Sequence, residues 1–310
     1  MRSPALTQTD AVRRNPATCC PVCGANSTAF AEARGWGEWK RCSACTLEFV
    51  APLRLDEKPE ELFADAYSGH RPESGMDDFR RRLLERHVLM PRPDLSFWTP
   101  AFEKTVQWLR QRLSPGATIF EIGCGLGFVL ETLRREGFHA RGLDVAKPVV
   151  DLCRADGFQV WHGTVDNVPS NWVDPDAIVA FFMLHHVDDP LGLLRTVRRK
   201  WPAVPIALAQ YGPSNLDPKR ACPPRTLTRW NVESLRTLLE VAGYAAATTS
   251  ITSTGAEHQM FRVPRIILKR TLFVPHVFRF ARAIERDVLP RLAHPLQRAE
   301  FVVLGFGEPR

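Results

Sequence analysis

Thr118-Ile-Phe-Glu-Ile-Gly-Cys-Gly-Leu-Gly-Phe128 decides the fold. Its first half is an apolar, β-favouring run that holds one acid, Glu121. Its second half carries Gly123, Gly125 and Gly127, and Phe128-Val-Leu-Glu-Thr-Leu-Arg-Arg then opens a helix. Glycine adopts backbone angles that a Cβ forbids and lets main chain come close to a ligand. A helix N-terminus adds its positive dipole end. Strand, glycine turn and helix in that order make a place where backbone can cradle a nucleotide. G-x-G-x-G alone is weak evidence, so the reading depends on what surrounds it.

The helix closes at Gly137, and a second strand, Phe138 to Val145, carries Asp144 near its end, 17 residues beyond Gly127. An acid there can accept both hydroxyls of an adenosine ribose. A helix over 148–156, a strand over 157–162 and the turn Gly163-Thr-Val-Asp-Asn-Val-Pro169 follow. The fourth strand, Asp176 to Leu184, runs into His185-His186-Val-Asp-Asp-Pro190. A helix over 191–200 leads to a fifth strand over 204–210, with Pro205 awkwardly near its start. Upstream, Phe102, Val106, Leu109 and Leu113 recur at helical spacing. Downstream come a helix over 232–242, a strand over 244–252 and a last strand over 301–306. This alternation predicts an α/β, doubly wound, Rossmann-like sheet of seven strands, with ligands at the C-terminal ends of the strands.

Five of the eight cysteines fall within residues 19–45. Cys20, Cys23, Cys42 and Cys45 form C-x2-C-x18-C-x2-C, and each pair can turn two thiolates toward one ion. Four thiolates give zinc a closed tetrahedral shell, the structural kind with no place for water. Cys19 competes for the register, but Cys20 gives the better spacing. Trp36 and Trp39 with Gly35 and Gly37 suit a short hairpin between the pairs, and Thr46-Leu-Glu-Phe-Val-Ala-Pro52 leaves as a strand.

The expected organisation is a flexible tail over 1–15, a zinc ribbon over 16–52, a linker and helical lid over 53–100, and the nucleotide-fold domain over 101–310. In the linker, residues 77–90 read as a basic helix, and Tyr67 is a candidate contact over the cofactor. The net charge is +7, while residues 1–100 hold 14 Lys/Arg against 14 Asp/Glu. Residues 258–298 hold nine Lys/Arg against Glu285 and Asp287, so a helical insertion at 255–299 carries a local excess of +7. Such a segment can face an anionic acceptor or a membrane surface, with Arg279, Arg282 and Arg286 foremost. No apolar run is long enough to span a bilayer, and residues 1–16 lack the apolar core of a secretory signal. Clustered cysteines without a signal point to metal in a cytoplasmic protein.

Phe120-Glu-Ile-Gly-Cys-Gly-Leu-Gly127, Gly142-Leu-Asp144, Gly163-Thr-Val-Asp-Asn-Val-Pro169 and the run from Asp176 to Pro190 resemble the ordered motifs of class I S-adenosylmethionine-dependent methyltransferases, over residues 101–250. The front end resembles a subgroup with a four-cysteine zinc ribbon, through its exit Cys42-Ser-Ala-Cys-Thr-Leu-Glu-Phe49 and through Pro223 to Leu235. That subgroup implies sugar, polysaccharide or natural-product methylation. The resemblance implies that Glu121 anchors the methionine end of the cofactor, Gly123, Gly125 and Gly127 let the loop pass beneath it, and Asp144 holds the ribose. It implies adenine contacts from the Val165 N–H and Asp166, and a methionine border from Ala180 and Phe181. Thr164 and His185 stand where relatives often carry acids.

Methyl transfer from a sulfonium needs alignment above all. A base is needed only where the nucleophile carries a proton. His186 and His185, at the mouth of the expected pocket, are the candidates, with Tyr211 beyond strand five. The expected acceptor is a small molecule such as a sugar, nucleotide-sugar or secondary metabolite. An RNA methyltransferase is the alternative, against which the ribbon shows only Arg34, Lys40 and Arg41 beside its tryptophans. A non-catalytic cofactor-binding scaffold is the reading from another class, and the intact glycine loop weighs against it. The oligomeric state has no signature in the sequence.

Overall fold

A computed structural model describes residues 18–53, 98–212, 223, 226–253 and 299–310. The tail, the lid with Tyr67 and the helix over 77–90, Cys222, and the basic insertion with Arg279, Arg282 and Arg286 lie outside the described residues.

Three short strands open the described residues: β1 (Ser27–Glu32), β2 (Glu38–Cys42) and β3 (Glu48–Ala51). They form an antiparallel meander, with Gly37 at φ 132 in the turn where a side chain would strike the Pro52 carbonyl. The main unit opens with α1 (Trp98–Arg110), which starts four residues before its first periodic apolar position, Phe102. Then come β4 (Thr118–Ile122), α2 (Phe128–Arg135), β5 (His139–Asp144), α3 (Lys147–Ala155), β6 (Gln159–His162) and a 3-10 turn at Val165–Asn167. β7 (Ala177–Phe181), a second 3-10 turn (Leu184–His186), α4 (Pro190–Lys200), β8 (Ile206–Tyr211), β9 (Thr228–Arg229), α5 (Val232–Val241), β10 (Tyr244–Ser253) and β11 (Ala299–Pro309) complete it.

The large sheet has seven strands in the order β10-β11-β8-β7-β4-β5-β6. β4 to β8 are parallel, and β11 runs antiparallel between β8 and β10. Alternating strands and helices alone imply a parallel sheet; β11 makes it mixed, as the resemblance to class I methyltransferases implies. The helices start where local chemistry allows. Asp189 caps α4 by accepting from Gly192 N–H at 2.8 Å, with Pro190 in the first turn. Asn231 and Ser234 cap α5 reciprocally. Pro205 sits just outside β8, where its carbonyl still accepts from Ile178 at 2.9 Å, so no ladder donor is lost.

The strand order centres β4 and β7, and both faces of that pair are buried. One face packs Phe120, Ile122, Ile178 and Ala180 toward α4 and α5. The other packs Ile119, Val179 and Phe181 toward α1 and α2. The ribbon is not a satellite. Its Cys20, Val22, Leu47 and Phe49 belong to the same hydrophobic cluster as Leu184 and Trp230 of the main unit. The ribbon sheet also gains a fourth strand, β9, which pairs with β3. Pro223 to Leu235 carries the subgroup resemblance and leads into a helix, but nothing in its pattern signals this strand.

Candidate functional site

The C-terminal ends of β4, β5, β6, β7 and β8 meet along one edge of the sheet. β4 delivers Glu121 and then the glycine loop. Gly123, Gly125 and Gly127 all take positive φ (73, 48 and 76), the region in which a Cβ is costly. The loop is stitched to β5, since Gly123 and Cys124 both donate to the Leu143 carbonyl at 2.9 and 3.0 Å. Gly127 is the N-cap of α2, so the helix N-terminus opens on this loop.

Asp144 ties two loops together. Its Oδ2 accepts from Gly125 N–H at 2.8 Å, and its Oδ1 accepts from Ala146 N–H at 2.9 Å. A carboxylate offers about four lone-pair positions. Each oxygen therefore keeps capacity for a ribose hydroxyl. Burial pushes this carboxyl above its ordinary range, while the Ala146, Gly125 and Val145 amides pull it back.

Glu121 is 2% exposed, and its Oε2 has no hydrogen-bond partner among the described residues. Burial pushes its pKa well up, Cys153 and Asp144 add to that, and only the Leu130 N–H on the first turn of α2 opposes them. A buried carboxyl oxygen without a partner is costly unless something is built to meet it. The α-ammonium of a methionyl group is a cation of the right sign. The acid at the end of β4, the acid at the end of β5 and the left-handed glycines between them therefore fit S-adenosylmethionine.

The remaining predicted contacts separate by environment. Val165 is buried, with its carbonyl accepting from Lys200 Nζ at 3.2 Å, and Asp166 is exposed beside it. Trp161, Trp172, Phe120 and Trp201 stack edge to face below that turn. The Phe181 ring is committed to packing, stacked on Phe102 of α1 at 5.1 Å.

Beyond β7 the chain is strained. Phe182 holds φ 52, and its N–H donates to the Ala209 carbonyl at 2.7 Å. Its ring stacks on Tyr211 at 4.5 Å. His185 is 7% exposed and lies against Tyr211, with its ring 3.8 Å from that of His186. The His185 Nδ1 is 3.2 Å from Gln210 Oε1. Gln210 Nε2 donates to the Ala209 carbonyl at 2.6 Å, which fixes the amide with its oxygen toward His185. An acceptor there requires a hydrogen on Nδ1, so the lone pair of His185 is on Nε2. Burial holds this imidazole well below its usual pKa, His186 lowers it further, and only Gln210 opposes. Its burial and its bond to Gln210 suit His185 to hydrogen bonding more than to proton transfer. His186 is half-buried, the more exposed of the two rings. The sequence named both histidines but missed Gln210, whose role depends on strand register.

The four expected cysteines converge. Cys20, Cys23, Cys42 and Cys45 place their sulfurs within 4.8 Å of one another. Individual separations are 3.4 Å (Cys23–Cys42) and 3.7 Å (Cys20–Cys45 and Cys23–Cys45). A tetrahedral ion with metal–sulfur distances of about 2.3 Å needs sulfurs about 3.8 Å apart. Backbone amides of Val22, Ala44 and Cys45 point at Cys20 and Cys42 sulfurs at 3.4 Å, which favours thiolates. The Cys45 thiol beside Cys20 holds that group down to about 5 and is itself pushed up. The donor set suits a thiolate-loving ion with a closed shell. Cys19 stays outside, bridging Asn26 through its backbone.

Residues 97–248 match the family model described as "Methyltransferase domain". The chain is 32% identical over 89 residues to a ubiquinone biosynthesis O-methyltransferase of Aeromonas salmonicida, which covers 26% of this chain and 37% of the relative. It is 28% identical over 88 residues to the protein of that name in Vibrio parahaemolyticus, with the same coverage. The chain thus spans little more than a third of the length of these curated relatives. Among solved structures, a magnesium protoporphyrin IX methyltransferase of Synechocystis with bound S-adenosylhomocysteine aligns at a TM-score of 0.48 and 13% identity, over 81% of this chain and 100% of that one.

Proposed function

We propose that this chain, whose residues 97–248 are a class I S-adenosylmethionine-dependent methyltransferase domain, moves a methyl group from that cofactor to a small-molecule acceptor. The observation that carries the reading is the unpartnered buried oxygen of Glu121 beside the glycine loop and Asp144. The cofactor supplies a methyl on a cationic sulfur. Glu121 meets the ammonium, Asp144 takes the ribose, and Val165 with Asp166 borders the adenine. The residues after β7 and β8 then face the acceptor. Phe182, Tyr211 and His185 offer aromatic walls, and Nε2 of His185 offers a fixed hydrogen-bond acceptor for an O–H or N–H nucleophile. His186, the more exposed of the two rings, is the one we assign to take the proton.

An oxygen acceptor is favoured by the relatives that are named O-methyltransferases. A sugar, nucleotide-sugar or secondary metabolite is favoured by the resemblance of the ribbon. RNA is disfavoured by the ribbon's cations, since Lys40 pairs with Glu38 at 3.6 Å and Arg41 with Glu48 at 2.6 Å. We assign zinc to the four thiolates and a cytoplasmic setting to the protein. No helix among the described residues is long and apolar enough to cross a membrane.

The reading is tested by incubating the protein and isotopically methyl-labelled cofactor with a metabolite extract and analysing the products by mass spectrometry. A labelled small product is expected. Label found only in added RNA, or no turnover despite tight cofactor binding, would reject it. With the product in hand, His186→Ala is expected to lower kcat by about a hundredfold, the lower end of general-base effects. His185→Ala should act mainly on the acceptor KM. Equal loss of kcat in both variants would remove the division of labour between the two rings.

A further inference from the structure

The ribbon and the main sheet meet through residues 226–231. Glu48 and Phe49 of β3 pair with Arg229 and Thr228, and Val50 N–H donates to the Leu227 carbonyl at 3.0 Å. The same segment turns its other edge to the 3-10 turn after β7. Leu227 N–H donates to the His185 carbonyl at 2.7 Å, and Thr228 Oγ1 donates to the Leu184 carbonyl at 3.3 Å. Leu227 is therefore bonded to the ribbon through its carbonyl and to His185 through its amide. Arg229 reinforces the join, with Glu48 at 3.4 Å and the Trp39 ring 3.9 Å beneath its guanidinium.

The metal knuckles enter through Thr46. In the first knuckle, Cys20 to Cys23 is followed by Gly24 at φ 73. In the second, Cys42 to Cys45 is followed by Thr46 at φ 59. A β-branched residue is strained in that region, and glycine is not. What threonine adds is a hydroxyl. Its Oγ1 accepts from Asn231 Nδ2 at 2.9 Å, and its carbonyl faces the same amide at 3.3 Å. Asn231 in turn caps α5, two residues beyond the end of β9. The strained position is thus occupied by the residue type that can grip the main unit.

We propose that Thr46 is a positioning residue: a clasp by which the metal-bound ribbon fixes residues 226–231 and, through Leu227, the turn that carries His185 and His186. That this turn borders the acceptor rests on the function proposed above. The clasp itself does not.

The test compares wild type, Thr46→Gly and Thr46→Ser, each loaded with zinc, by hydrogen exchange. Peptides over 183–188 and 226–231 are the probes, and peptides over 119–127 and 139–146 are the controls. Metal content and cofactor affinity are measured on the same samples. Thr46→Gly is expected to keep its zinc and its cofactor affinity while both probe peptides exchange about fivefold faster, as befits one lost hydrogen bond. Thr46→Ser is expected to restore wild-type exchange. Chelating the metal from wild type should loosen the same two peptides further. Wild-type exchange in Thr46→Gly, or loss of zinc as its sole change, would overturn the clasp. Clasp behaviour in proteins that never bind the cofactor would support the clasp and count against methyl transfer.

Discussion

Glu121→Gln is expected to weaken cofactor binding about a hundredfold and to remove its dependence on pH. Taking away one member of a buried charge pair costs roughly 2–5 kcal/mol, and about 2.7 kcal/mol is a hundredfold in Kd. The carboxyl is buried, and its Oε2 has no partner among the described residues, so its pKa stands well above the usual value. Without cofactor it therefore keeps its proton to a higher pH than a solvated glutamate does. A cationic ammonium binds best to the ionised form. Affinity should rise with pH from the ordinary carboxylate range up to the raised value, by at most about tenfold per unit, and then level off. Calorimetry in two buffers of different ionisation enthalpy should show a proton released on binding. The same group predicts a stability effect of opposite sign. As pH rises past the ordinary carboxylate pKa, the unfolded chain releases this proton while the folded chain retains it. Stability of the free protein is then lost across that window, and Glu121→Gln should reduce the loss to the smaller part that Asp144 contributes. A variant that bound cofactor like wild type, with the same pH profile, would end the anchoring role.

Glu121 was legible in the sequence because a strand, an acid and three glycines are local events. Asp144 was legible for the same reason, and so was the ribbon, whose paired cysteines announce themselves by spacing. The doubly wound sheet was legible from alternating strands and helices, while its strand order was not and the antiparallel β11 followed only from the family resemblance. What could not be read depends on contacts between distant segments. β9 is two residues long, Thr228 and Arg229, with no periodicity, and its partner strand lies about 180 residues earlier. Phe181 lies in Ala177-Ile-Val-Ala-Phe181, apolar on both faces because β7 is central, so no alternation reveals which way its ring turns. His185 and His186 are equivalent as letters. Burial and the orientation of Gln210 divide them, and both depend on how β8 registers against β7. Thr46 had a signal that only a comparison of the two knuckles exposes: threonine where the first has glycine.

Removing the metal, by chelation or by Cys42→Ser, is expected to melt the ribbon and lower the melting temperature of the rest by about 10 °C, at roughly 2–4 °C per kcal/mol for a unit of this size. The cluster confined to the ribbon is small, Ala33, Trp39 and Val50, and its other buried side chains lean on the main unit. At about 1.5–3 kcal/mol for a large side chain, this does not offset the ordering of residues 18–53. A structural zinc contributes about 10–16 kcal/mol in small ribbons and fingers, which makes the ion the main source of order here. The main unit would lose a partner strand for β9, the Glu48–Arg229 pair, and the cover that Leu47 and Phe49 give in their shared cluster with Trp230. It would keep its seven strands, so far-UV circular dichroism should change little while calorimetry shows an earlier transition. Cobalt added to the stripped protein should give the absorption of a tetrahedral four-thiolate site. Cys19→Ser is the control that separates the two possible registers, because Cys19 contributes no sulfur to the cluster. It should melt with wild type. Equal loss in Cys19→Ser and Cys42→Ser would put the ion elsewhere, and an unchanged melting temperature in Cys42→Ser would deny it any structural part.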